Sequence, residues 1–212
     1  MATLEIPEGP PPACQSLKSL HIREGYYCVQ TFSIHDLRPL RRFTLLIRCE
    51  LHFGYHALTD ADCDEMSTWW PQMQRLELGR SDPSAESKCT LRSFVSFAKG
   101  CPQLVSLVLH ISARDIPILD PMPPPHHALQ ELTVGDAVIL DAQGVAGFLR
   151  ALFPEMNEFY YSASDNRETD EHCRRAARWR RVRHLVTGHP LDEYTSFSNF
   201  FYEGLSDIDE IV

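Results

Sequence analysis

Seven cysteines are present, but no two of them form a CxxC pair, and the count is odd. Secreted disulfide scaffolds use even counts and zinc modules use close pairs, so the pattern speaks against both and favours a reducing compartment, cytoplasmic or nuclear. The opening Met1–Pro7 has neither a basic nor an apolar signal region, and no apolar run approaches bilayer length. No nucleophile elbow, phosphate loop, HExxH or paired-glycine fingerprint occurs, so no enzyme is expected. Cys49 and His52 are three apart, while His126/His127 and His172/Cys173 are adjacent pairs. Adjacent ligands rarely chelate one ion and no second pair sits at finger spacing, so core cysteines and surface histidines are expected, with no metal and no cofactor.

The net charge of −9 argues against a nucleic acid or an anionic membrane as the main partner, since both recruit Lys and Arg. With 212 residues, 43% of them hydrophobic, the chain supports one well-buried domain. The proline- and glycine-rich residues 1–14 read as a loose lead-in, 15–186 as the domain, and 187–212 as a tail that is acidic (Asp192, Glu193, Glu203, Asp207, Asp209, Glu210) and aromatic (Tyr194, Phe197, Phe200, Phe201, Tyr202).

What the sequence does contain is repetition. Trp70-Pro71-Gln72-Met73, Cys101-Pro102-Gln103-Leu104 and Phe153-Pro154-Glu155-Met156 each come after a helix-like segment and open a short apolar strand. A proline closing a helix, with apolar anchors at fixed offsets after it, is the turn-and-strand entry of a leucine-rich-repeat unit. LxxLxL-like strands are expected at Leu17–Ile22, Leu40–Leu45, Met73–Leu78, Leu104–Leu109, Leu129–Val134 and Met156–Tyr161. Their first anchors are separated by 23, 33, 31, 25 and 27 residues, and the two long steps are assigned to inserted loops, read at residues 79–90 and at the proline-dense 117–125. Thr59 or Asp60, Thr90 and Asp141 are expected N-caps of the connecting helices, and Gly100 a C-terminal stop.

Leu58-Thr59-Asp60, Trp69–Gly79, Thr90–Phe94, Cys101–Leu104, Glu131–Asp136, Phe148-Leu149 and Leu152–Pro154 together resemble the leucine-rich-repeat part of fungal F-box proteins, over about residues 37–186. The resemblance implies repeats that hold a substrate while an amino-terminal F-box grips the adaptor of a cullin ubiquitin ligase. No F-box-like Leu-Pro-x-Glu opening precedes Leu17, which weakens the expectation of direct docking to that adaptor. The ninth repeat position, where Asn or Cys often ladders the turns, holds Gly25, Arg48, Ser81, Ser112, Ala137 and Ser164, so an irregular array is expected.

The expected architecture is therefore α/β: a right-handed solenoid of about six units, parallel strands concave and helices convex. Outward strand positions Ser19, His21, Arg42, Thr44, Arg75, Glu77, Ser106, Val108, His110, Glu131, Thr133, Glu158 and Tyr160 are the candidates for contact with a protein partner. The basic run 174–183 (Arg174, Arg175, Arg178, Arg180, Arg181 and Arg183, with Trp179 within) offers an alternative, a nucleic-acid or phosphate binder with a stacking face. Its ordinary reading is a capping helix with Ala176, Trp179 and Val182 inward and the arginines in water.

Overall fold

The computed structural model describes residues 16–23, 31–81, 87–135, 137–161 and 170–190. Gly25, Ser164, the lead-in and the acidic, aromatic tail after residue 190 lie outside them. The described chain is α/β. Strands β1 (Ser19–Arg23), β3 (Arg48–His56), β4 (Arg75–Ser81), β5 (Ser106–Val108), β6 (Glu131–Val134) and β7 (Glu158–Tyr161) lie side by side in that order, every pair parallel. The two-residue β2 (Thr31–Phe32) pairs with the far end of β3. Parallel neighbours need a crossover, and helices supply several: α1 (Ile34–Leu37) with a 3-10 turn over Arg38–Arg42, α2 (Asp60–Ser67), α3 (Leu91–Gly100) and α4 (Ala142–Leu152). Helix α5 (Asp170–Thr187) comes after β7.

One hydrogen-bond arrangement recurs at the entries to β3, β4, β5, β6 and β7. The carbonyls of Lys18, Ile47, Gln74, Val105 and Gln130 each accept from two consecutive amides at the start of the neighbouring strand, at 2.8–3.1 Å. Just upstream, a tight turn closes through Leu46 N–H to Phe43 O, Met73 to Trp70, Leu104 to Cys101 and Met156 to Phe153. Three of these four turns carry the proline seen in the sequence. The fourth, Phe43-Thr44-Leu45-Leu46, does not, and it corrects the expected second strand.

The expected strand at Leu40–Leu45 is instead the end of the 3-10 turn and the turn after it. The second strand comes six residues later, with Leu46 as the anchor, fully buried like Met73 and Leu129. Leu17, Leu46, Met73, Leu104, Leu129 and Met156 are then separated by 29, 27, 31, 25 and 27 residues, a more even spacing than the sequence pattern suggested. Pro39 at the start of the 3-10 turn favours tight turning over extension, so an apolar spacing that fits a strand was used for a turn.

Core side chains come from the inward row Cys49, Leu76, Leu107, Leu132 and Phe159, all buried, and from the apolar faces of the helices. Each fully buried Leu or Phe contributes about 1.5–3 kcal/mol. Thr59, Thr90 and Asp141 cap α2, α3 and α4 through their side-chain oxygens, satisfying amides that the helix leaves without partners. Gly100 stands at the C-terminal stop expected for α3. It is the last residue of α3, and a Cβ there would lie 2.3 Å from the Ser67 carbonyl oxygen, so its role is to let α3 close against the end of α2.

Proline-rich residues 117–125 hold no helix or strand. This segment is pinned by His126, a buried residue rather than the surface histidine expected. Its Nδ1 accepts from Leu129 N–H at 3.2 Å, which leaves Nε2 protonated to donate to the Cys101 carbonyl at 2.9 Å.

On α5, Trp179 stacks on Phe159 at 5.8 Å and 26° and donates from Nε1 to the Ala137 carbonyl at 2.8 Å. Val182 is fully buried and Ala176 packs against the core, whereas Arg183 is buried rather than in water.

Candidate functional site

Side chains alternate across a strand, so the residues flanking the inward row face away from the core in two further rows. One is Ser19, Arg48, Arg75, Ser106, Glu131 and Glu158; the other is His21, Glu50, Glu77, Val108, Thr133 and Tyr160. Ten of the thirteen candidates from the sequence lie in these rows. His110 lies just past β5, at the position where Gly135 leaves room for its ring: a Cβ on Gly135 would be 2.1 Å from His110 Nδ1. Arg42 and Thr44 lie off the sheet, because the strand expected around them does not form.

The places given to Arg42 and Thr44 belong to Arg48 and Glu50, which the sequence pattern did not single out. The signal was present: Leu46-Ile47-Arg48-Cys49-Glu50-Leu51 has the same spacing as Met73-Gln74-Arg75-Leu76-Glu77-Leu78, with an Arg-x-Glu in each. Register sets Arg48 beside Arg75 and Glu50 beside Glu77.

These four residues, with His21 and His52, form an ionic cluster. Arg48 Nε donates to Glu50 Oε1 at 2.5 Å, and Arg75 Nε lies 2.7 Å from Glu77 Oε1 and 3.3 Å from Glu50 Oε1. On the other side of the carboxylates, His21 Nδ1 lies 2.7 Å from Glu50 Oε2. His52 Nε2 lies 3.2 Å from Glu77 Oε2 and 3.8 Å from Glu50 Oε2. Both carboxylates are thus divided alike, Oε1 toward guanidinium and Oε2 toward imidazole. Burial alone would raise the Glu77 carboxyl, but hydrogen bonds from His52 and Arg75 outweigh it and hold the group below its ordinary value. Arg75 is likewise lowered by burial and raised further by its bond to Glu77, with a net upward shift.

The rest of the face is of mixed character. Ser106, Val108 and Thr133 are buried, and the hydroxyls of Ser106 and Thr133 find no hydrogen-bond partner among the described residues. Tyr160 donates to Glu158 Oε2 at 3.0 Å, and burial together with that carboxylate pushes its phenol up to about 12. Glu131 and Glu158 give the β6–β7 end acidic groups, opposite the arginines and histidines of β1, β3 and β4.

Cys49, set beside His52 in the sequence, is on the inward face, its thiol pushed up to about 12 by burial. His127 is 3.6 Å from Glu155 on the surface, and Cys173 is exposed. None of these joins the cluster.

Fold and site together define an α/β protein with a parallel sheet, one face of which carries a row of ionic and polar side chains. The chain matches no family model, no curated protein and no solved structure. Among the described residues, no helix is long and apolar enough to cross a membrane.

Proposed function

We propose that this chain is a protein-binding scaffold, an irregular leucine-rich-repeat solenoid that engages its partner through the outward strand face. The observation that supports this most directly is the repeated strand entry, with five carbonyls each accepting two amides from the next unit. A unit that pairs only with its neighbours sets one side chain per unit in each row, and those not buried, among them His21, Arg48, Arg75 and Tyr160, give a surface suited to another polypeptide. Ser19, Glu131 and Glu158 project from its first row, with Arg48 and Arg75 between them.

The partner in this reading is a protein substrate of the kind held by the repeats of F-box ligase receptors, whose sequences the chain resembles. The cysteine pattern favours the cytoplasm or nucleus. The alternative built on run 174–183 loses its stacking face, since Trp179 is buried against Phe159.

The test is affinity capture from native cells with the tagged chain and with a Glu131→Lys/Glu158→Lys variant, read by mass spectrometry. Partners lost selectively with the variant support the strand face as the interface. Equal capture by a folded variant places the interface elsewhere. Recovery of a cullin and its adaptor carries the ligase reading; recovery of other proteins alone removes it.

A further inference from the structure

We infer that Glu50, His52 and Glu77 bind a divalent transition-metal ion of the zinc class. One donor atom from each lies within 4.8 Å of the other two. Glu50 and Glu77 are register partners on adjacent strands, and His52, two residues along β3, is directed to the same face. The ring nitrogen stands 3.2 Å from one carboxylate oxygen and 3.8 Å from the other. A tetrahedral ion with bonds of about 2.0–2.1 Å separates its ligand atoms by roughly 3.3 Å, so these groups already stand near coordination spacing.

Two further features point the same way. The side chains are well shielded, 5% exposed for Glu50, 11% for Glu77 and 17% for His52, so an ion here competes with little water. Each carboxylate is also oriented from behind. Arg48 and Arg75 hold the Oε1 atoms and leave Glu77 Oε2 facing His52 and Glu50 Oε2 between His21 and His52, which is the part played by outer-shell partners of metal-bound carboxylates. His21 Nδ1, 2.7 Å from Glu50 Oε2, is the next donor at the edge of the cluster. Imidazole with carboxylates suits zinc, cobalt or nickel better than the all-oxygen preference of calcium and magnesium. Because the arginines share the carboxylate charge, binding is weaker than at an all-cysteine structural site. The inference is independent of the partner reading, since it concerns the chain alone.

The test titrates the chelator-stripped full chain with Co2+, then Zn2+, with Mg2+ and Ca2+ for comparison. The expected result is one ion per chain, visible d–d bands of a nitrogen/oxygen site without a thiolate charge-transfer band, and a raised Tm. His52→Gln and Glu77→Gln, checked for fold by circular dichroism, weaken binding by about tenfold or more, while His127→Gln and Cys173→Ser leave it unchanged. Should both cluster variants unfold, the wild type still decides: cobalt-induced paramagnetic shifts centre on the amides of His52 and Glu77. No binding, a thiolate band, shifts centred elsewhere, or equal binding by the folded variants overturns the site.

Discussion

Glu50 and Glu77 are directly opposite each other on β3 and β4, and the Nε of Arg75 reaches both carboxylates, at 3.3 and 2.7 Å. Like charges facing each other across parallel strands repel, so the pair depends on the cations set against it. Arg48 meets Glu50 alone, whereas Arg75 bridges the two. Arg75→Met is therefore expected to destabilise by about 1–3 kcal/mol and more than Arg48→Met, with part of the loss recovered in Arg75→Met/Glu77→Gln. Urea unfolding of the four chains measures this, and equal losses from the two arginine variants would show that the bridge is not what matters.

Leu46→Ala is expected to cost about 2–5 kcal/mol, the range for emptying a fully buried leucine site. Leu40 is only half-buried, and Leu40→Ala should cost less than about 2 kcal/mol. The reverse order would restore Leu40 as the second anchor.

Gly100→Ala and Gly147→Ala should act in opposite directions. A Cβ on Gly100 lies 2.3 Å from backbone oxygen and drives α3 from α2, while one on Gly147 meets nothing within 4 Å. In mid-helix the second change is expected to stabilise by about 0.5–1 kcal/mol. Thermal unfolding that lowers Tm for both would contradict the open space at Gly147.

Asp60 links the start of α2 to the start of α3. Its Oδ1 accepts from Thr90 N–H at 2.7 Å and Ser93 Oγ at 2.6 Å, and its Oδ2 from Thr90 Oγ1 at 2.7 Å. Asp60→Ala removes all three and is expected to cost about 1.5–3 kcal/mol, with Asn recovering a portion. A loss in Asp60→Ala no larger than in the exposed Asp64→Ala would mean that these bonds do not couple the helices.

His56 supplies the pH dependence. Burial pushes its imidazole from 6.5 down to about 4, and neither ring nitrogen has a hydrogen-bond partner among the described residues. The ring of Phe32 stands 6.3 Å away, and His110 meets His56 edge-on at 6.3 Å. As pH falls below 6.5 the unfolded chain gains a proton that the folded chain does not take until about 4. This contribution is complete above 6.5 and lost toward 4, by about 3 kcal/mol. Urea midpoints at pH 7.5 and 4.5 should differ less in His56→Phe than in the wild type, and an unchanged pH difference would remove His56 from the account.

Much of the fold was legible because proline and apolar spacing act locally. Trp70-Pro71, Cys101-Pro102 and Phe153-Pro154 each force a turn, and the strand after each turn buries its alternate residues. The turn at Phe43–Leu46 has no proline to mark it, and the LxxLxL-like spacing from Leu40 drew the expected strand six residues too early. That slip hid Arg48 and Glu50. The capping threonines and the stop at Gly100 were readable for the same local reason, while the close approach of Gly100 to Ser67, 33 positions away, was not.

The sequence alone determined the parallel α/β alternation, the inward rows and most of the outward ones, since these arise from periods of a few residues. Only tertiary structure decided that Glu50 faces Glu77, that His52 closes on both and that His126 is a buried pin. Each depends on how segments distant in the chain come together, which no local pattern contains.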